Sequence, residues 1–382
     1  MNKHLKTSGK SHGERASLRV LHLCQRDDPA AGGAARVAVE LVKRLTAQGI
    51  EAECLFLYGG PGELSEDIRD RTTWLGLSSS KDVFLHGWRL FSFIGKTKPD
   101  IIHHHDGVTW SHLLTLLGYH GIRYGHAHND GPQNGANARI RFANWVHRKT
   151  YDYLIAVSEA TGEAWRTRGV NDKQIKLIPN GVDPSKFYPG TNEDKLDVRR
   201  KWNIPDKAKV ILSVGRLSIG MKGTDDFLRV LFHLDESYYA LIAGVGADEE
   251  LLRTLAEDLG VSERVRFCGL INPVFPCYQA ADMLVVTSHF EPFGLMVVEA
   301  MACGIPVAAF ATVGGVMAVL HDAQALVSVK RDPEALANLI QTDLNQPEKR
   351  AASLRTVCNV VKEKYSWDSA AKKLAVLYKR DE

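Results

Sequence analysis

Short apolar runs of strand length recur along this chain, each followed by a turn and a helix-period stretch, and the alternation halts once and begins again. L-R-V-L-H-L-C (Leu18–Cys24), Ala52–Tyr58, I-I-H-H near Asp100 and Y-L-I-A after Asp152 belong to the first series. A charged, polar stretch over 192–207, carrying a short helix that ends before Pro205, reads as a hinge. The pattern then restarts with V-I-L-S-V-G-R-L and continues through A-D-M-L-V-V-T and V-A-A-F. Strands alternating with helices build parallel sheets covered on both faces, so two doubly wound α/β domains facing a cleft are expected. A length of 382 residues suits two such domains. The boundaries read as a disordered leader over 1–17, a first domain over 18–190 and a second over 191–365.

The most specific stretch is Ser288–Pro306, S-H-F-E-P-F-G-L-M-V-V-E-A-M-A-C-G-I-P. From Leu295 to Cys303 it is apolar all round except for Glu299, which marks a buried helix whose lone carboxylate is paired or faces a ligand. Glu291 precedes Pro292 and belongs to the loop before that helix. Phe293, Gly294 and Leu295 would form the first turn, where unpaired N–H groups favour an anion. Two carboxylates and an open helix end make a cradle for a sugar, a phosphate and a ribose diol. The plainer alternative is a helix cap with a core glutamate satisfied by the backbone.

Other candidates stand at strand ends, where α/β sheets bind ligands. Gly32 and Gly33, followed by Arg36, open the first helix and permit close backbone approach to a ligand. His103, His104 and His105 are consecutive on a strand, so they alternate between its faces and do not share one ion. His103 and His105 either line a site or merely end the strand. His126 and His128 close the next strand before a Gly- and Asn-rich loop. Arg216 and Lys222, six residues apart beside a strand end, suit the two phosphates of a nucleotide diphosphate. R-I-R-F-A-N-W-V-H-R-K (139–149) is a basic helix carrying Ile140, Phe142 and Trp145, read as a solvated face over a packed one, or as a contact with an anionic membrane or lipid-linked acceptor. Ser158 is expected to cap the helix that follows.

Composition narrows the classes further. A net charge of +3 gives no argument for nucleic acid, and no apolar run is long enough to span a bilayer. Six cysteines are scattered without C-x-x-C pairs, as free thiols in a reducing cytoplasm would be. Y-Y-A-L-I-A-G-V-G (238–246) lacks the third glycine of a dinucleotide fingerprint, since Glu249 stands there. No D-x-D pair for a divalent ion occurs.

Taken together, G-G-A-A-R, H-A-H-N, V-G-R-L-x4-K-G, E-x7-E around F-G-L and E-A-M-A-C-G-I-P-V resemble, in order, the elements of the retaining GT-B glycosyltransferases of family 4. The likeness covers residues 18–378 and implies a GT-B fold with a terminal helix, within 366–382, crossing back to the first domain. It implies sugar transfer from a UDP- or GDP-sugar to a hydroxyl of a glycan or lipid-linked acceptor, in cell-surface polysaccharide or lipopolysaccharide synthesis, without metal or other cofactor. Arg216 and Lys222 would hold the diphosphate together with the Gly32–Gly33 loop and the N–H groups of Phe293, Gly294 and Leu295. Glu299 would bind ribose, Glu291 the donor sugar, and His128 would orient sugar and acceptor. His128, Glu291, Arg216 and Lys222 are thus the expected catalytic set, in a cytoplasmic protein that touches the inner membrane face peripherally. A related epimerase, or a scaffold that binds nucleotide sugars without turnover, are the alternatives. One departure stands out: Ala318 occupies the place of the family's glutamate in G-G-x-x-E.

Overall fold

The computed structural model describes residues 17–29, 32–105, 108–129 and 138–380. The leader expected over 1–17 falls, up to residue 16, outside the described residues, as does 130–137 of the loop after His128.

Thirteen strands are described: β1 (Arg19–Arg26), β2 (Glu51–Tyr58), β3 (Thr72–Leu77), β4 (Ile101–His104), β5 (Ile122–Ala127), β6 (Tyr153–Ala156) and β7 (Ile175–Leu177), then β8 (Lys209–Val214), β9 (Tyr238–Ala243), β10 (Val265–Gly269), β11 (Met283–Val286), β12 (Val307–Phe310) and β13 (Leu326–Ser328). The first seven form one parallel sheet in the order 3-2-1-4-5-6-7, and the rest a second in the order 10-9-8-11-12-13. In each, chain direction across the sheet reverses once, between β1 and β4 and between β8 and β11, and ligands of such sheets gather at that point.

The helices of the first half are α1 (Gly33–Ala47), α2 (Ser80–Leu85), α3 (Gly87–Thr97), α4 (Thr109–Gly118), α5 (Ala138–Thr150) and α6 (Glu159–Thr167). Those of the second are α7 (Asn192–Lys201), α8 (Ile219–Lys222), α9 (Thr224–His233), α10 (Glu249–Asp258), α11 (Phe275–Ala280), α12 (Leu295–Ala302), α13 (Val316–Asp322), α14 (Pro333–Leu344), α15 (Pro347–Lys364) and α16 (Trp367–Arg380). Strands buried on both faces leave no polar side, which is why their sequences read as unbroken apolar runs.

The terminal helix does return to the first domain. Trp367, Ala371, Leu374 and Tyr378 of α16 share a core with Val37, Leu41 and Leu45 of α1. The stretch read as a hinge behaves differently: α7 is fastened to the second domain by Arg199, which donates to the carbonyls of Ala280 and Ala208 and pairs with Asp282 at 2.6 Å. The chain crosses between domains at two places that brace each other. The Val182 N–H donates to the Tyr365 carbonyl at 2.8 Å, and the Val182 carbonyl accepts from the Trp367 N–H at 3.3 Å. A Cβ on Gly181 would lie 2.4 Å from the Ser366 backbone, so only glycine permits this approach.

Candidate functional site

The stretch Ser288–Pro306 folds at the carboxyl end of β11, beside the reversal point of the second sheet. Helix α12 is buried from Met296 to Ala302, as its all-round apolar composition required. Its first turn begins only at Leu295. Phe293 lies before the helix and packs edge-on against Tyr365, and Gly294 takes a left-handed φ of 87°. A Cβ there would approach Val316 to 2.5 Å, so both conformation and space demand glycine.

Glu299 is buried and doubly partnered, by side chains rather than by the backbone. It accepts from Tyr278 Oη at 2.7 Å and pairs with Arg36 Nη1 at 3.0 Å. Burial, then the adjacent Glu299 charge, hold the Tyr278 phenol well above its usual pKa, so it remains a donor. Arg36 comes from α1 of the other domain, and its guanidinium lies over the ring of Phe187. Beside this pair, a Cβ on Gly33 would rest 3.3 Å from Leu295. The glycine loop of the first domain and the start of α12 therefore meet.

A second group forms at the end of β8. Arg216 is exposed there, and Lys222, at the end of α8, forms a close ion pair with Glu291. Gly223, with φ of 61°, ends α8 where a Cβ would strike the Thr287 carbonyl at 2.2 Å. Arg216, Lys222, Thr287, Ser288 and Met296 line one depression. Met296 belongs to the first turn of α12 and Glu299 to the next, so the two groups are neighbours along one helix. Gly315 completes the approach of the domains, since a Cβ on it would stand 2.0 Å from Ser158 Oγ, the cap of α6.

His128 joins neither group; its partner is His105, Nδ1 to Nε2 at 3.0 Å. The three consecutive histidines divide as strand geometry requires. His103 and His105 face one side, whereas His104 meets Thr115 at 3.1 Å on the other. Burial drives the pKa of His128 down to about 3. Sequence reasoning did not single out Tyr278 or His22, whose importance comes only from long-range contact. On α5 it is Val146, His147 and Thr150 that are buried, while Phe142 and Trp145, expected on a packed side, are each 43% exposed.

Comparison with known proteins gives two family matches. Residues 31–186 match the model described as Glycosyltransferase Family 4, and residues 194–355 that described as Glycosyl transferases group 1. An uncharacterized glycosyltransferase of Methanocaldococcus jannaschii is 30% identical over 302 residues, 75% of this chain and 76% of that one. A D-inositol 3-phosphate glycosyltransferase of Corynebacterium urealyticum is 35% identical over 219 residues, 54% of this chain but only 51% of its own length. In fold, the Anabaena protein HepE, solved with UDP and glucose, matches with a TM-score of 0.82 at 20% identity, covering 95% of this chain and all of that one.

Proposed function

The chain belongs to the GT-B glycosyltransferases of family 4, and from that premise we propose that it moves a sugar from a nucleotide-diphosphate donor to a hydroxyl of a glycan or lipid-linked acceptor with retention of anomeric configuration. The observation that carries this reading is the meeting of Gly33 and Arg36 with Leu295 and Glu299, beside the Lys222–Glu291 pair. Both carboxylates are paired with cations, Glu299 with Arg36 and Glu291 with Lys222. On donor entry the partners exchange: Arg216, Lys222 and Arg36 take the diphosphate, Glu299 takes ribose hydroxyls and Glu291 those of the sugar. The N–H groups at the start of α12 and the Gly32–Gly33 loop add fixed positive dipoles.

This field stabilises the departing diphosphate, so the proposal needs no metal in the donor cleft. The bond from the anomeric carbon to the phosphate oxygen breaks as the bond to the acceptor oxygen forms on the same face. The acceptor's proton passes to a donor phosphate oxygen, and nucleoside diphosphate leaves. His128, neutral through burial, orients sugar and acceptor rather than acting as base. A uridine donor is the first to try, because HepE was solved with UDP and glucose.

The acceptor side of the proposal rests on the outer helices of the first domain. Phe84, Leu85, Trp88, Leu117, Phe142 and Trp145 are exposed on α2 to α5, with Arg141, Arg148 and Lys149 exposed beside them. Aromatic and basic side chains on one set of packed helices suit an anionic membrane surface bearing a lipid-linked acceptor. In this proposal the protein works at the cytoplasmic face of a membrane, in assembly of a cell-surface polysaccharide or lipopolysaccharide. Incubation with UDP-sugars and lipid-linked acceptors in EDTA, followed by proton NMR of the product, tests the chemistry. The expected product keeps the donor's anomeric configuration; an inverted product, or turnover restored only by Mg2+ or Mn2+, overturns it.

A further inference from the structure

Five histidines from neighbouring strands converge where the first sheet reverses: His22 on β1, His103 and His105 at the end of β4, His126 and His128 at the end of β5. All but His128 are buried. His22 Nδ1 meets His105 Nε2 at 2.9 Å, and His105 Nδ1 meets His128 Nε2 at 3.0 Å. A neutral imidazole carries one N–H and one lone pair, and both need partners once water is excluded. Yet among the described residues His22 Nε2, His103 Nε2 and both ring nitrogens of His126 have no hydrogen-bond partner. A line of hydrogen-bonded rings explains His22, His105 and His128 and leaves those four nitrogens unexplained.

We propose that this cluster is a binding site for a divalent transition-metal ion of the Zn2+ class, ligated by His22, His103 and His105 with His126 alongside. One ring nitrogen from each of His22, His103 and His105 lies within 4.8 Å of the other two. Zinc–nitrogen bonds of about 2.0–2.1 Å would draw such ligand atoms closer together than that limit. The donors are all imidazole, and among the described residues none of these rings is hydrogen-bonded to a carboxylate. Such a set favours zinc, copper, nickel or cobalt over magnesium or calcium. His103 Nδ1 is bonded to the Tyr378 hydroxyl of α16, the kind of outer partner that orients a metal-bound imidazole. The neutral imidazole is the form that coordinates a metal. The site is distinct from the donor cations Arg216 and Lys222, and half-buried His128 extends the line of rings beyond His105.

The test uses the full-length protein, stripped with a chelator, desalted and titrated calorimetrically with Zn2+. One ion per chain is expected, with a raised melting temperature, and binding should weaken roughly tenfold or more in His22→Gln and in His103→Gln. A His233→Gln/His321→Gln double variant, altering exposed rings, should bind as the parent does. X-ray absorption of the zinc-loaded parent counts its imidazole ligands even if the cluster variants fail to fold. Three or more support the proposal. Fewer than three, no ion retained after desalting, or undiminished binding in the folded cluster variants overturns it.

Discussion

Lys222 and Glu291 show how much hangs on single side chains in the cleft. Each is the other's counter-ion, and both are largely shielded from water. Replacing Lys222 with alanine leaves a buried carboxylate without its cation and, in the proposed mechanism, the donor diphosphate without a positive contact. Lys222→Ala and Arg216→Ala are each expected to lower kcat/KM by on the order of a hundredfold or more. Steady-state kinetics against donor concentration checks this, and undiminished turnover in either variant would remove the cations from the mechanism. Both residues were legible in the sequence because V-G-R-L-x4-K-G has a fixed spacing beside a strand. The partner of Glu299 was not. Arg36 lies more than 260 positions away and meets it only because two separately folded domains face each other.

At the scale of elements, His112 on α4 ties a helix to its sheet through a defined tautomer. Its Nδ1 donates to the Val108 carbonyl at 2.8 Å, and its Nε2 accepts from the Tyr151 hydroxyl at 2.7 Å. Burial lowers its pKa from 6.5 to about 4. Between those values the unfolded chain binds the proton that the folded chain refuses, so stability falls as pH falls through the window. The loss is about 1.4 kcal/mol per pH unit for this ring. Urea midpoints should therefore decline from pH 6.5 toward pH 4, and the decline should be shallower in His112→Gln; equal slopes would contradict the assignment.

The outer helices carry a second prediction at this scale. Sedimentation with anionic phospholipid vesicles should retain the protein at low salt. Trp88→Ser/Trp145→Ser and high salt should each release it. Retention unaffected by both would point away from this face. Strand β3 and helices α2 to α4 were not recognised in the sequence, and α5 was read either as a solvated face over a packed one or as a membrane contact. An amphipathic period reveals which residues share a face, but not whether that face meets protein or solvent.

Over the whole molecule, the alternation of strand and helix was enough to reveal two doubly wound domains, because parallel strands must be apolar on both faces. The joint between them was harder to see. The charged stretch 192–207 looked like a hinge by composition, yet it is bound to the second domain through Arg199, and the crossings pair at Val182 and Ser366 instead. That pairing joins residues far apart in the chain, which composition does not register. The two domains and their crossings bring Arg36 to Glu299 beside the Lys222–Glu291 pair, and the proposed donor, bridging these groups, would bind only the folded, assembled molecule. The most direct measurement is therefore the melting temperature of the purified protein with UDP, GDP and their sugar conjugates. A ligand present at a hundred times its dissociation constant stabilises by about 2.7 kcal/mol. The expected result is a clear upward shift with one nucleotide series, lost in Glu299→Ala and Lys222→Ala. No shift with any nucleotide, or a shift that both variants keep, would contradict the donor cleft described above.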